Sequence, residues 1–598
     1  MQKTETILRA MRRMGERHIP LTRVYRSLYS EDLLLTAYDK IARNKGALTA
    51  GTANDTVDGM SIERIRNIRE QLRLERFKFR PVRRVQIPKK SGGSRPLGIP
   101  DFSEKLVQEA MRMILEAYYE PRFSDNSHGF RPGRGCHTAL KHIKEKFVGT
   151  VWLIEGDIKG CFNNIDHEVL METISRDIKD QRLLNLIRKC LKAGYMEDWR
   201  YHKTYSGTPQ GGIISPLLAN IYLNELDTFI EKKLIPKYTR GSRRAANPEY
   251  ERLTRQIGRA RAKGDKQLVK ELTLKRRQIP SINPTDPNFR RLKYCRYADD
   301  FILGFIGPKR EAEEVKAAIG QFLREKLHLE MSESKTLITH ARTEQARFLG
   351  YSIGVGQRDD KVTRRKDGIK MRSVNGRIIL RIPNGRVDEF TKPFLKMGKP
   401  THQSVLINCS DAEIILSFQL RYRGKAEYYK YAVNRGSLQK LKYVMETALT
   451  KTLAAKHKTT VPKIYRKYSG RLTIDGRTYK TIQVKVSTKK GEKYIYWGAV
   501  PLKVVKMDRL EPINDERTTL WTYRTDLVQR LMADKCEICG AEGDCEVHHI
   551  RKLSDLKKRW RGRKKKPEWV VQMIARQRKT LVLCKKCHRE IHAGNSQK

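Results

Sequence analysis

The sequence predicts a multidomain α+β protein, and three observations carry that prediction. The chain has 598 residues, room for roughly four domains at about 150 residues each. Its hydrophobic fraction is 39 %, enough to build packed cores. Strand-like and helix-like segments mix without a regular βαβ rhythm, which points to α+β domains and not to a doubly wound parallel sheet.

Charge narrows the function classes. Lys plus Arg number 124 against 67 Asp plus Glu, a formal net charge of +57. Such a surface repels itself unless a polyanion neutralises it. No apolar run of about 18 residues exists, and no charged-then-apolar segment opens the chain. These absences exclude an integral membrane protein, argue against secretion and leave no membrane partner. A large nucleic acid is the expected partner. The ten cysteines agree. Cys136, Cys161, Cys190, Cys295 and Cys409 are scattered singly and read as reduced, buried small hydrophobes. The other five cluster between Cys536 and Cys587 and read as a metal site. The compartment is therefore expected to be reducing: a bacterial cytoplasm or organelle matrix, with nucleoid association on target DNA.

Taken in order, residues 1–75 form a helical extension, with Tyr25, Leu28, Leu33, Leu34, Leu35 and Tyr38 at near-helical spacing. A Gly/Thr-rich loop from Gly46 to Gly59 interrupts it. Val85–Ile87 and Leu97–Ile99 are strand candidates around a basic hairpin turn, Lys89-Lys90-Ser91-Gly92-Gly93. Residues 102–120 form a helix that buries Leu106, Ala110, Met113 and Leu115. Strands follow at 151–158 and 301–305, and helices at 214–232 and 310–325. The stretch 233–290 is the most basic and least apolar part of the interior and reads as inserted helices with a basic face. The alternatives are RNA contact, favoured by one-sided charge, and a merely solvated face. The pattern turns mostly helical at 371–465. Residues 466–530 include an alternating hairpin turning at Lys489-Lys490-Gly491. Residues 531–598 form a separate Cys/His module. There is no internal repeat.

Two carboxylate elements carry chemistry. Asp157 ends an apolar strand, Val151 to Ile158, and Asp299-Asp300 sits between two strand-like arms. Adjacent carboxylates repel, and a nearby apolar sheet desolvates them. A bound dication offsets both costs, and oxygen ligands of this type suit Mg²⁺. Three carboxylates from neighbouring strands can hold two metals about 3.5–4 Å apart. An isolated Asp-Asp pair is more often an Asx turn. Here the Gly/Pro-rich loop from Ser206 to Leu217 runs into a helix, and such backbone allows close approach of a nucleotide.

At these residues the sequence resembles the reverse transcriptases encoded by group II introns. Tyr297-Ala298-Asp299-Asp300 matches their YADD box, and Asp157 stands at their first catalytic aspartate. "GTPQGGIISPLLANIYLNELD" looks like the next motif. "LGIPDFSEKLVQEAM" and "HGFRPGRGCHTAL" resemble fingers blocks, and "LEMSESKTLIT" and "RFLGYSI" the last palm motifs. The blocks run in order from about 80 to 353. The resemblance implies a right-hand polymerase with fingers and palm over 76–370. It implies that Asp157, Asp299 and Asp300 hold two Mg²⁺ ions. It further implies that Lys89 or Lys90, with Arg95, neutralises the dNTP triphosphate, that Lys335 approaches the same phosphates, and that Gln210 lies near the incoming nucleotide. Phe162 stands where the family has a bulky residue that excludes a 2′-hydroxyl.

Ser410–Asn434 and Leu441–Lys458 resemble the maturase domain, or domain X, of the same proteins, a helical thumb that also helps fold intron RNA. Tyr422, Arg423, Tyr428, Tyr429, Lys430, Arg435, Lys456 and Lys458 mix aromatics and cations suited to RNA, with about half of the tyrosines expected in the core. Residues 466–530 occupy the place of the family's DNA-binding region.

Cys536-x2-Cys539 and Cys584-x2-Cys587 form two knuckles, and four thiolates give a closed structural Zn²⁺ site. The gap between them is too long for a plain zinc ribbon. The inserted "CEVHHI", with His588 and His592 four apart after the last knuckle, resembles the HNH nuclease motif, a ββα-metal fold. That resemblance implies His548, His588 and His592 as ligands of one divalent ion and His549 as general base. Lys579 stands where the motif has its Asn. Cys545 belongs to neither set. The whole implies a group II intron-encoded reverse transcriptase, maturase and endonuclease, with intron RNA, target DNA and dNTPs as partners. A splicing-only maturase and a retron-like enzyme are the alternatives.

Overall fold

The computed structural model of the chain describes residues 3–593 apart from 45, 89–91, 199, 205, 209–210, 284–285, 359–360, 365–367, 369, 373, 475, 489–490, 506, 508–525, 552, 554, 557–559, 561–565 and 576–578. Among these residues no helix is long and apolar enough to cross a membrane.

The helical extension is part of the main core. Helices Thr4–Glu16 and Glu31–Ala42 pack on the long helix Phe102–Tyr119. Leu33, Leu34 and Tyr38 are fully buried. Gly15 lets the first helix cross closely, since a Cβ there would lie 2.0 Å from the carbonyl oxygen of Tyr118. Strands Val82–Pro88 and Ser94–Ile99 form the expected antiparallel hairpin, with Ile87 opposite Arg95. Its turn residues Lys89, Lys90 and Ser91 lie outside the described residues.

The central sheet has four antiparallel strands in the order Arg291–Tyr297, Asp300–Ile306, Trp152–Asp157, Ile338–His340. Alternate large and absent side chains set the register. A Cβ on Gly156 would lie 2.1 Å from the Phe301 ring, so glycine is required for that ring to cross the strand. Helices Ser215–Phe229 and Lys309–Leu327 cover one face, where Phe229 stacks on Phe322 at 4.2 Å. Within this layer Arg296 is fully buried and paired with buried Asp227 at 2.6 Å. Tyr294 Oη also donates to Asp227, at 2.7 Å.

The insertion folds as two helices, Pro248–Ala262 and Lys266–Gln278, capped by Asn247 and Asp265. Leu253, Ile257 and Ala260 pack inward, whereas the second helix buries no residue. Arg243, Arg259 and Arg261 are exposed, but Arg244 stacks on Phe289 at 5.2 Å and belongs to the fold.

Helices Asp411–Tyr428, Leu438–Lys456 and Val461–Tyr468 form the thumb. Ser410 and Glu413 make a capping box at the first. Tyr422, Tyr429 and Tyr431 are core residues, and buried Arg435 donates to the carbonyls of Ala426 and Lys503. Tyr422 and Tyr429 thus belong to the share of the tyrosines expected in the core, whereas Arg435 is structural, which corrects the expectation of RNA contact for that residue. Lys456 pairs with Asp411. Arg423 and Lys458 remain exposed. The expected hairpin at 466–530 is a three-stranded sheet, Ser469–Ile474, Arg477–Thr488 and Gly491–Gly498. It is seated on the thumb through buried Trp497 and a reciprocal pair of bonds between Gln419 and Gly498.

The Cys/His module is not separate. Its strands Cys545–His549 and Thr580–Cys584 pair antiparallel, and Met60–Ser61 from the helical extension adds a third strand. Met60 lies opposite Val547, and both are fully buried. The reason is edge chemistry: the strand's outer N–H and C=O groups and its apolar face find partners in the extension.

The buried ion pair yields a stability prediction. Asp227→Ala leaves a desolvated guanidinium and should destabilise the fold by about 3–5 kcal/mol. Asp227→Leu combined with Arg296→Met should recover most of that loss. Urea unfolding of the two variants measures both effects; an Asp227→Ala variant as stable as the wild type would contradict the account.

Candidate functional site

The first site is built by sheet register. Asp157 ends its strand directly opposite Asp300. The turn before Asp300 passes through Ala298 at φ 58°, and this places Asp299 beside the other two carboxylates. Arg296 holds the turn from beneath, donating to the Ala298 carbonyl at 2.9 Å and to Asn220 at 3.1 Å. Gly129 closes it from the other side, because a Cβ there would lie 2.3 Å from the Ala298 nitrogen. The segment after Leu329 runs back along the first strand, with Ser332 N donating to the Asp157 carbonyl at 2.8 Å. Lys335 thereby reaches Asp157 Oδ2 at 2.9 Å.

The electrostatics of the cluster favour a dication. Burial raises Asp299, and the charge of Asp157 adds to it. Burial, then Asp299 and Asp157, push Asp300 up to about 7. Lys335 offsets part of this charge, and Arg95 also lowers Asp299. Three carboxylates converging in a half-buried cleft fit one or two divalent ions. Lys335 thus meets a carboxylate here, whereas the family resemblance assigned it to phosphates.

Phe162 is buried and meets Phe130 edge-on at 6.2 Å, while Phe130 is half exposed. The Gly/Pro-rich loop is sewn to the Phe162 turn: Thr208 N donates to the Phe162 carbonyl at 2.7 Å. Gly207, at φ +87°, sits where a Cβ would strike the Asn163 carbonyl at 2.5 Å. Gly211, at φ +112°, does the same against Gly98. The loop is therefore clamped between the fingers hairpin and the palm. Gln210, like Lys89 and Lys90, lies outside the described residues.

The second site lies in the C-terminal module. The Sγ atoms of Cys536, Cys539, Cys584 and Cys587 all lie within 4.8 Å of one another. Gly540 takes φ +75° to close the first knuckle. Burial raises Cys536, but N–H donors of Cys539, Cys584 and Ile538 outweigh it and bring the thiol down to about 7. Four convergent sulfurs are a metal-ligand set, and zinc suits it. Cys545 lies opposite Cys584 in the sheet but outside this set.

His548, on the strand, and His588 and His592, one helical turn apart, converge with ring centroids 4.8–5.3 Å apart. Both ring nitrogens of His548 are buried without a hydrogen bond, which leaves the ring free to give one of them to a cation. Burial brings His548 down to about 4, so the ring is neutral and its lone pair available. Glu546 accepts from His588 Nδ1 at 2.8 Å, leaving Nε2 to face the cluster. His549 points the other way, with Nε2 3.2 Å from Tyr38 Oη. Lys579 is exposed, and its carbonyl accepts from Ile550 N at 3.0 Å. A fourth residue in the cluster escaped the sequence reading: Asp58, from the Gly/Thr-rich loop. Its only local signal was a turn-forming Asp-Gly pair.

Comparison with known proteins follows the same division. The family described as reverse transcriptase (RNA-dependent DNA polymerase) matches residues 87–353. Type II intron maturase matches 382–505, and the AI2M/AI1M-like HNH endonuclease matches 536–588. The group II intron-encoded protein LtrA of Lactococcus lactis subsp. cremoris is 41 % identical over 612 aligned positions, covering 99 % of each chain. The 91 kDa protein in the cob intron of Schizosaccharomyces pombe is 36 % identical over 95 % of this chain and 69 % of its own.

The raised carboxyl predicts a pH dependence. Asp300 keeps its proton in the folded state up to about 7, whereas the unfolded chain releases it near about 4. Folding therefore takes up a proton across that window, and the group's destabilisation grows from about pH 4 to about pH 7 and stays full above it. Without divalent ions, Asp300→Asn should melt above the wild type at about pH 8 and level with it at about pH 4. Calorimetry at the two pH values decides; equal melting at the higher pH would mean that Lys335 already neutralises the cluster.

Proposed function

Because this chain belongs to the group II intron-encoded proteins, we propose how its own residues divide that family's activity among three surfaces. The chain is a multifunctional group II intron protein, with reverse transcriptase, maturase and HNH endonuclease domains. The splicing-only and retron-like alternatives are not favoured, since all three domains match.

The observation that carries the polymerase assignment is the register that sets Asp157 opposite Asp300 with Asp299 in the adjoining turn. These three carboxylates hold the Mg²⁺ ions. When bound, such ions activate a primer 3′-hydroxyl and stabilise the leaving pyrophosphate. The rest falls to the chain. Arg95 stands on the fingers hairpin close enough for its charge to lower Asp299, and its guanidinium can fork onto the triphosphate of a dNTP. Phe162, braced by Phe130, walls the sugar pocket and favours a deoxyribose. Lys335 neutralises Asp157 before the ions arrive. Lys89 and Gln210 keep the roles that the family resemblance implies.

The exposed arginines of the insertion and Arg423 and Lys458 of the thumb bind intron RNA through its phosphates. In the nuclease, Cys536, Cys539, Cys584 and Cys587 hold a structural Zn²⁺, while His548, His588 and His592 hold a divalent ion. His549 is the general base: its Nε2 is engaged by Tyr38 Oη at 3.2 Å, and in the tautomer that carries its proton on Nε2 the Nδ1 lone pair takes a proton from water. The cycle is target-primed. Intron RNA enters one strand of the target DNA, the nuclease nicks the other, and the new 3′-hydroxyl primes cDNA synthesis.

Two variants separate the sites. Asp299→Ala should abolish extension of an annealed primer and leave intron RNA affinity unchanged. His549→Ala should lower second-strand nicking by about 10²–10⁴, while primer extension and splicing assistance persist. Strand-specific cleavage and extension by the reconstituted ribonucleoprotein measure both. Nicking at the wild-type rate by His549→Ala would remove that histidine from the mechanism.

A further inference from the structure

The ββα-metal reading assigns three histidines to the nuclease ion, and all three are C-terminal. The structure surrounds that ion's position with a fourth group from the opposite end of the chain. Asp58 Oδ2 lies 2.8 Å from His592 Nε2. Its Oδ1 lies 3.5 Å from His588 Nε2 and 3.6 Å from His548 Nδ1. All four ligand atoms fall within 4.8 Å of one another. His588 and His592 also present Nε2 to each other at 3.2 Å. Converging imidazole nitrogens suit a cation between them, and a carboxylate aimed at the same point supplies negative charge that imidazole ligands do not.

We propose that Asp58 is the fourth protein ligand of the nuclease ion, so that the endonuclease centre is composite and incomplete without the N-terminal loop. The assignment rests on the nuclease reading above. A purely capping role does not account for the geometry. His549 N donates to Asp58 Oδ1 at 2.7 Å, which occupies one oxygen and leaves the other turned onto His592.

The loop is built to hold this position. Gly59 follows at φ +73° and turns the chain so that Met60 and Ser61 pair with the histidine-bearing strand. Gly59 N donates to the Val547 carbonyl at 3.1 Å. The other end of the loop is bolted to the fingers. Asp55 accepts from Ser103 N at 3.1 Å and pairs with Arg64, and Asp101 accepts from Ala53 N at 3.2 Å. Loading the ion therefore reinforces the link that Met60–Ser61 already makes between the nuclease strand and the start of the long fingers helix. The ion is a tie between the two enzymatic halves as well as a cofactor.

The test uses full-length protein carrying Asp157→Ala, Asp299→Ala and Asp300→Ala, which takes all three palm carboxylates out of the measurement, and Mn²⁺ as the probe. Adding Asp58→Asn keeps an acceptor for the His549 amide but weakens the ligand. A lost ligand should cost at least what a lost outer-shell partner does, about 10–100-fold in affinity, read by calorimetric titration. His588→Ala in the same background is the control. Hydrogen exchange adds a readout independent of activity: Mn²⁺ should protect 57–61 and 545–549 together when Asp58 is present, and only 545–549 in Asp58→Asn. If Asp58→Asn binds Mn²⁺ as tightly as its parent while His588→Ala does not, Asp58 is no ligand and the inference falls, with the nuclease reading intact. If His588→Ala also binds normally, the nuclease reading falls and takes the inference with it.

Discussion

The polymerase site depends on one buried interaction, the ion pair between Arg296 and Asp227. Neither side chain is exposed to solvent by more than about one per cent. Such a pair is costly to desolvate and tolerable only when every polar atom is used. Here the surroundings comply. Tyr294 completes Asp227, and Asn220 and the Ala298 carbonyl complete Arg296. The last of these bonds carries the consequence, because Ala298 is the turn residue at positive φ. The guanidinium connects the covering helix Ser215–Phe229 to the loop that presents Asp299 and Asp300. Burial removes the alternatives that water would offer, and the turn is held in one conformation.

On that scaffold the sheet accumulates negative charge at a single point. Glycine at 156 admits the Phe301 ring, which fixes the register and so sets Asp157 facing Asp300. The price of this geometry is repulsion, visible in the raised Asp299 and Asp300. Lys335 offsets part of it through Asp157. A site unstable in its own charge is one prepared to bind a dication, and the same feature links stability to pH.

The N-terminal segment joins parts of the chain that their motifs describe separately. Its helices fill the core beneath the fingers helix, and its two-residue strand completes the nuclease sheet. Tyr38 and Asp58 reach the nuclease histidines from that side. The thumb shows the same economy, since its basic sheet is anchored by Trp497 and Gln419 and several of its tyrosines are core.

Local chemistry was legible before any fold was known. The YADD box, the paired CxxC knuckles and the His-His strand stand out because their ligands must lie at short, fixed spacings on one turn, knuckle or helix face. The ordered blocks from 80 to 353 likewise placed Asp157 and Phe162, and the helices at 102–120 and 310–325 followed from periodicity. Which distant groups meet was left to packing. Arg435 reads as part of an RNA surface until packing buries it, because an aromatic-cationic pattern serves a core edge as well as a groove. Met60–Ser61 is too short to show alternation, and Asp58 reads as an ordinary turn residue. Their partners lie almost the whole chain away, and contacts at that separation leave no period in the sequence; only the meeting of the two ends reveals them.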